Sequence, residues 1–175
     1  MLVSSQVSGR RVMKKLQLFF SIVLICFTTM YPVQAKEVVG WVEKVILYPS
    51  ELIVKAKIDS GAKTSSLNCK CYNFFQRNGK EWVKFTVVNE DGEATELEQP
   101  IVRIAQIKRH YGEKQERPVI KLGLCLANVY KETEFTLIDR SGLNYQVLVG
   151  RQFLEEKFLI DPGETFKRNP ACEVD

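Results

Sequence analysis

Apolar side chains recur at every second position through most of the chain after residue 37, and that period belongs to half-buried strands, not to helices. The runs are Val38 to Leu47, Leu52 to Ile58, Trp82 to Val88, Ile101 to Ile107, Pro118 to Leu124, Glu134 to Ile138 and Tyr145 to Val149. Between them fall Tyr48-Pro49-Ser50, Arg77-Asn78-Gly79-Lys80, Asn89-Glu90-Asp91-Gly92 and Asp139-Arg140-Ser141-Gly142, residues that accept tight or left-handed turns. The one segment with helical spacing is short, Arg151 to Lys157, where Phe153, Leu154 and Phe158 share a face. No internal repeat or linker divides residues 36–175. The expected fold is a single all-β domain, a closed or partly closed barrel with one small helix near the C-terminus.

The formal charge of +4 suggests an anionic partner until its location is considered. Residues 1–35 carry Arg10, Arg11, Lys14 and Lys15, no acid, and then an apolar run from Leu16 to Phe27. A basic stretch, an apolar stretch too short to span a bilayer, and Val33-Gln34-Ala35 together read as a secretory signal peptide cleaved after Ala35, starting at Met1 or at Met13. Ile25 before Cys26 does not suit a lipoprotein cleavage site. The expectation is an exported chain, periplasmic or secreted, with no permanent membrane anchor. The remainder has 21 basic and 21 acidic side chains and shows no basic face for nucleic acid. Residues 36–167 are read as the domain and 168–175 as a loose tail.

Four cysteines remain: Cys69, Cys71, Cys125 and Cys172. In an exported protein they read as disulfides or buried thiols, with any bridge joining Cys69 or Cys71 to Cys125 or Cys172. His110 is the single histidine and reads as an exposed loop residue.

The segment with chemical content is the strand Leu52 to Ile58 running directly into Asp59-Ser60-Gly61-Ala62-Lys63-Thr64-Ser65-Ser66-Leu67. Gly61 allows a sharp turn beside Asp59, and a hydroxyl and backbone amides can hold the carboxylate in one orientation. Taken alone, Asp-Ser-Gly is also an ordinary turn. A second segment, Val147-Leu148-Val149-Gly150-Arg151-Gln152-Phe153-Leu154, is an apolar strand ending in Gly-Arg and entering the helix.

Together the two segments resemble the retropepsin-like aspartic proteases, in which an apolar-Asp-Thr/Ser-Gly-Ala loop comes early and an apolar-apolar-Gly-Arg strand with a short helix comes late. The resemblance extends from Val38 to Phe166 for a bacterial branch labelled ATP-dependent zinc proteases, through Ile58 to Leu67, Arg117-Pro118-Val119-Ile120, Leu137-Ile138-Asp139-Arg140, Leu148-Val149-Gly150-Arg151 and Phe158-Leu159-Ile160-Asp161. It implies a closed retropepsin-like barrel and Asp59 as general acid or base. It further implies an active-site loop of Ser60, Gly61, Ala62, Thr64 and Ser65, with Gly150 and Arg151 as structural support. Arg151 would pair with a carboxylate across a dimer, although Lys63 stands where retroviral members carry an acid. A hairpin flap is also implied, and Phe75 to Val87 is the readable hairpin.

Neither word of that label finds its motif. Gly61-Ala62-Lys63-Thr64 lacks the upstream glycine of a P-loop, and one histidine cannot make a His-Glu-x-x-His zinc site, so neither ATP nor zinc is assigned as a cofactor. Aspartic proteolysis needs two carboxylates about 3 Å apart sharing a proton. The other acidic turns lack the hydroxyl-Gly-Ala continuation, so the second carboxylate must come from a second copy of the chain. The expected function is an exported, homodimeric aspartic endopeptidase acting on peptides or proteins. The alternatives are a non-catalytic peptide-binding or assembly module on the same barrel, or a metal-dependent peptidase.

Overall fold

The alternation of Leu52, Val54, Ala56 and Ile58 inward with Ile53, Lys55 and Lys57 outward is kept in the structure, and this strand forms one stave of a barrel. The computed structural model describes residues 35–69, 72–107 and 114–174. Their elements are β1 (Glu37–Tyr48), β2 (Leu52–Ile58), β3 (Ser65–Asn68), β4 (Tyr72–Arg77), β5 (Lys80–Val88), β6 (Ala94–Pro100), β7 (Arg103–Ile107), β8 (Gln115–Leu126), β9 (Val129–Ile138), β10 (Val147–Val149), helix α1 (Arg151–Leu154) and β11 (Phe158–Thr165). Residues 1–34, which hold most of the segment read as a signal peptide, and Cys71 and His110 lie outside the described residues.

Strands β1, β2, β10, β3, β9 and β8 hydrogen-bond in that order, and β8 returns to β1, which closes the barrel. Closure pairs both outer strands of these six, edges that an open sheet of this apolar content would expose. Strand β7 extends the sheet beyond β8, β11 lies parallel to β1, and β4–β5–β6 form a separate sheet. Val39, Val45, Leu47, Val54, Leu67, Ile120, Leu124, Phe135, Leu137 and Phe153 are fully buried or nearly so in one core. Each large side chain there stabilises the fold by about 1.5–3 kcal/mol through apolar burial.

Each predicted strand run overlaps an observed strand, but four observed strands were not among the runs. Strand β6 carries Glu96 and Glu98, residues of weak strand preference. It is held by pairing with β5, where Glu96 meets Lys84 at 2.6 Å, and Glu98 reaches Arg77 at the end of β4 at 2.5 Å. Strand β11 contains Pro162-Gly163, tolerable because it is an edge strand; its register against β1 shifts between Gly40 and Val42. The helix is shorter than expected, ending at Leu154. The hairpin at Asn78-Gly79 forms as read, with φ of 52° and 70° at those residues.

Two expectations are corrected. The disulfide joins Cys125 to Cys172, and Cys69 is buried in the barrel core instead of bridging to either. The segment after Lys167 is pinned, not loose: Lys167 N and Arg168 N donate to the carboxylate of Glu43, Ala171 N donates to Ala127 O, and Arg168 pairs with Glu37. Polar composition hid this docking, because its partners are backbone groups and one buried acid. Removing the bridge with the pair Cys125→Ser and Cys172→Ser releases a loop closed over a separation of 47 residues. The expected cost is up to about 4 kcal/mol, measured as a lower denaturant midpoint that reductant reproduces in the unmodified protein. An unchanged midpoint would show that the bridge adds nothing beyond the tail's hydrogen bonds.

Candidate active site

Asp59 follows the last residue of β2, and its backbone N donates to Val149 O of β10 at 2.9 Å. The chain turns there because Asp59 caps its own loop. Oδ1 accepts from Gly61 N at 2.8 Å and from Ala62 N at 3.3 Å, and Asp59 O also accepts from Ala62 N at 3.3 Å. A Cβ on Gly61 would sit 3.0 Å from Oδ1, so the smallest side chain leaves the carboxylate room. Two amides thus orient one oxygen, while Oδ2 has no hydrogen-bond partner among the described residues.

Strand β10 runs between β2 and β3, parallel to the first (Val149↔Ile58) and antiparallel to the second (Leu148↔Ser66). Gly150 then passes against the loop so closely that a Cβ would lie 2.8–2.9 Å from backbone atoms of Lys63 and Thr64. Gly150 N donates to Ser65 Oγ at 3.1 Å, Arg151 N to Ala62 O at 2.9 Å and Gln152 N to Lys63 O at 3.0 Å. Ser65 is fully buried, and its carbonyl accepts from Thr136 Oγ1 of β9. The Asp59 loop is therefore stitched to the strand-to-helix junction by two main-chain bonds and one to the buried Ser65 hydroxyl.

Arg151 finds its acceptors within its own chain. Nη1 donates to Ser60 O at 2.7 Å and to Gly61 O at 2.8 Å, which ties down the two carbonyls that follow the aspartate. With Lys63 where an acid could have stood, neutral carbonyls are the local partners of this guanidinium.

Beside the loop lies a cleft of about 810 Å³, lined by Ala62, Lys63 and Thr64, by β7 from Arg103 to Ile107, and by Arg117, Arg140 and Leu148 among others. The hairpin that walls this cleft is β7–β8. The hairpin read from Asn78-Gly79 belongs to the separate sheet, and its Val83, Phe85 and Val87 are buried in the core. Turn chemistry showed which strands pair, but not where the pair docks.

The lining carries four cations, Lys63, Arg103, Arg117 and Arg140, against one acid, Glu134, which Arg103 already holds at 2.5 Å. Burial pulls the Arg140 guanidinium below the usual arginine range, with the nearby Asp59 charge opposing that shift. Sequence reasoning treated Asp139-Arg140 as a turn and missed that it faces the cleft. Its position in the quoted Leu137-Ile138-Asp139-Arg140 motif was the available signal. Asp139, Asp161 and Asn89 each accept a backbone N–H two residues on, the mark of a self-capped turn, and none of the three lines the cleft. Among the described residues no group of three or more His, Cys, Asp or Glu side chains is placed to hold a metal ion.

The family model described as retropepsin-like aspartic endopeptidase RimB matches residues 38–171. A probable alpha-L-glutamate ligase of Shewanella pealeana is 35% identical over 116 residues, covering 65% of this chain and 25% of the relative. One of Desulfotalea psychrophila is 34% identical over 113 residues, covering 63% of this chain and 24% of the relative. The match thus spans about a quarter of the length of these curated relatives. A solved structure of a Legionella pneumophila protein of unknown function superposes with a TM-score of 0.66 at 28% identity, over 76% of this chain and 98% of that one.

Proposed function

We propose that this chain, which belongs to the RimB-like family of retropepsin-like aspartic endopeptidases, hydrolyses peptide bonds through a dyad of Asp59 carboxylates contributed by two copies of the chain. The observation that carries the reading is the Asp59 loop itself. One carboxylate oxygen is fixed by the Gly61 and Ala62 amides, the other has no hydrogen-bond partner among the described residues, and the loop is braced by β10 beside a cleft of about 810 Å³. Two such carboxylates about 3 Å apart hold one proton between them. The ionised partner takes a proton from water as it attacks the scissile carbonyl, and the protonated partner donates to the carbonyl oxygen. The pair titrates as a unit.

On this reading Gly61 and Ala62 leave space and backbone groups for the substrate chain, Ser60, Thr64 and Ser65 steady the loop, and Gly150 and Arg151 brace it. Residues 1–35 direct export, and residues 36–167 with the docked tail act in the periplasm or outside the cell. Acidic peptides are the favoured substrate class. The cleft lining has three more cations than acids, and the matched segment also occurs inside longer proteins named probable alpha-L-glutamate ligases.

The reading predicts that specific activity rises with protein concentration and saturates as dimers fill, tracking the dimer fraction measured by sedimentation. A preparation that is fully active while monomeric would overturn it.

A further inference from the structure

Strands β1 and β8 close the barrel over a short seam, in which Val45 faces Leu126, Ile46 faces Cys125, Leu47 faces Leu124 and Tyr48 faces Gly123. The C-terminal segment is tied to both of these strands. On the β1 side Phe166 N donates to Val42 O at 2.8 Å, and Lys167 N and Arg168 N donate to the buried Glu43 carboxylate. On the β8 side Ala171 N donates to Ala127 O, and Cys172 is bonded to Cys125. Residues 166–172 therefore form a strap from one closing strand to the other. Its two ends differ in chemistry. The β1 end hangs on amide donors and a carboxylate, whereas the β8 end hangs on a bond that a thiolate can cut. Cys125 is fully buried and Cys172 is partly exposed, so the outer sulfur is the one an incoming thiolate reaches.

The strap bears on the cleft through β8, a single strand of 12 residues. Its residues 123–126 face β1 in the seam, and its residues 115–119 carry β7. Arg117 and the β7 residues from Arg103 to Ile107 line the cleft, so that wall is an arm whose base lies beside Cys125. The Asp59 loop is held separately, by β10 and the helix junction, and none of its hydrogen-bond partners among the described residues belongs to the strap.

We propose that the Cys125–Cys172 bridge is a redox-sensitive clasp. Closed, it fixes the seam and with it the cleft wall. Opened by a dithiol, it frees the end of the strap, loosens the β8 arm and weakens substrate binding, while the Asp59 loop keeps its shape. A thiolate of the dithiol attacks Cys172 Sγ, the protein S–S bond breaks as a mixed disulfide forms, and Cys125 leaves as a thiolate that takes up a proton. The second thiolate of the dithiol then attacks the dithiol's own sulfur in the mixed disulfide, and Cys172 leaves as a thiol. The protein bridge is reduced to two thiols and the dithiol is oxidised to a disulfide. Run in reverse with a small-molecule disulfide as oxidant, the exchange closes the clasp, so full substrate binding belongs to the chain in an oxidising compartment. The kinetic consequence rests on the reading of the cleft as a peptide-binding site given above.

The test uses the purified chain oxidised, reduced with dithiothreitol and re-oxidised with glutathione disulfide, beside the Cys125→Ser and Cys172→Ser pair. Thermal melts choose a temperature at which every state is folded. On a cleaved peptide, reduction is expected to raise KM about 5- to 10-fold and leave kcat within about twofold, the size of a modest coupling between sites. Re-oxidation restores the starting KM, and the double-serine protein matches the reduced state and ignores the dithiol.

Amide hydrogen exchange decides the point without catalysis. Reduction should speed exchange in residues 103–107, 115–126 and 169–172 by at least about tenfold more than in residues 58–66. If no peptide is cleaved in any state but this pattern stands, the dyad reading fails and the clasp survives. An equal acceleration in all segments would mean that the bridge only stabilises the whole fold, and overturns the clasp. So does an unchanged KM on reduction, a fall in kcat alone, or a response to dithiol that persists in the double-serine protein.

Discussion

Asp59→Asn is expected to abolish the proposed peptide cleavage, lowering kcat by at least about a thousandfold, which is the range over which a general acid–base pair acts. The substitution suits the question because it is nearly isosteric. The Asn side-chain oxygen can still accept from the Gly61 and Ala62 amides, which hold Oδ1 at 2.8 and 3.3 Å in the parent, so the loop and the thermal midpoint should be preserved. Lost is the ability to hold and exchange a proton. Dimers carrying one Asp59 and one Asn should be as inactive as the full variant, since one carboxylate cannot be both the ionised and the protonated partner. Progress curves on a mixed peptide library, run with and without a chelator, read the result. Equal cleavage by parent and variant would refute the aspartic mechanism, and loss of the parent's activity on chelation would point to a metal instead.

Glu43→Ala is the second large effect, and it falls on stability. Glu43 is fully buried, and its carboxylate accepts from Gly40 N at 2.6 Å, Lys167 N at 3.0 Å and Arg168 N at 3.2 Å. Truncation leaves three backbone donors without an acceptor at a site closed to water. At roughly 1–3 kcal/mol for each unsatisfied group, less what relaxation recovers, the expected loss is about 3–5 kcal/mol. For a domain of this size that lowers the melting midpoint by about 10 °C. Glu43→Gln keeps one acceptor oxygen and should lose less. Because two of the donors belong to the tail, proteolysis near residue 168 should accelerate in Glu43→Ala before the barrel unfolds. A melting point within two or three degrees (~2–3 °C) of the parent would refute the tether.

Several features were legible because they are local. The alternation of β2, the Asn78-Gly79 turn and the self-capping of Asp59 depend on residues within a few positions of one another, and each formed where the sequence placed it. Glu43 was legible in principle as well: it is in phase with Val39, Val45 and Leu47 on the inward face of β1, an acid where the pattern demands an apolar residue. A buried acid in such a position needs donors, and only the folded tail reveals them.

The residues that set the cleft were not legible. Arg140 reaches the Asp59 loop because β3 and β9 run parallel with Asn68 opposite Ile138, a register that no spacing in the chain announces. Arg151 ties down two carbonyls of the Asp59 loop, about ninety residues away in the chain, only once β10 has threaded between β2 and β3. The disulfide partner of Cys125 depends likewise on where residues 167–172 lie after Glu43 has captured them.

The sequence by itself determined the seven alternating strands, the Asn78-Gly79 turn and the aspartate loop, because side-chain period and backbone preference act over a few residues, and its motifs pointed to the family. Only the tertiary structure decided which hairpin walls the cleft, which arginine faces it without an acid, and which cysteines meet. Those outcomes come from strand register and barrel closure, where contacts between residues far apart in the chain compete at nearly equal local cost.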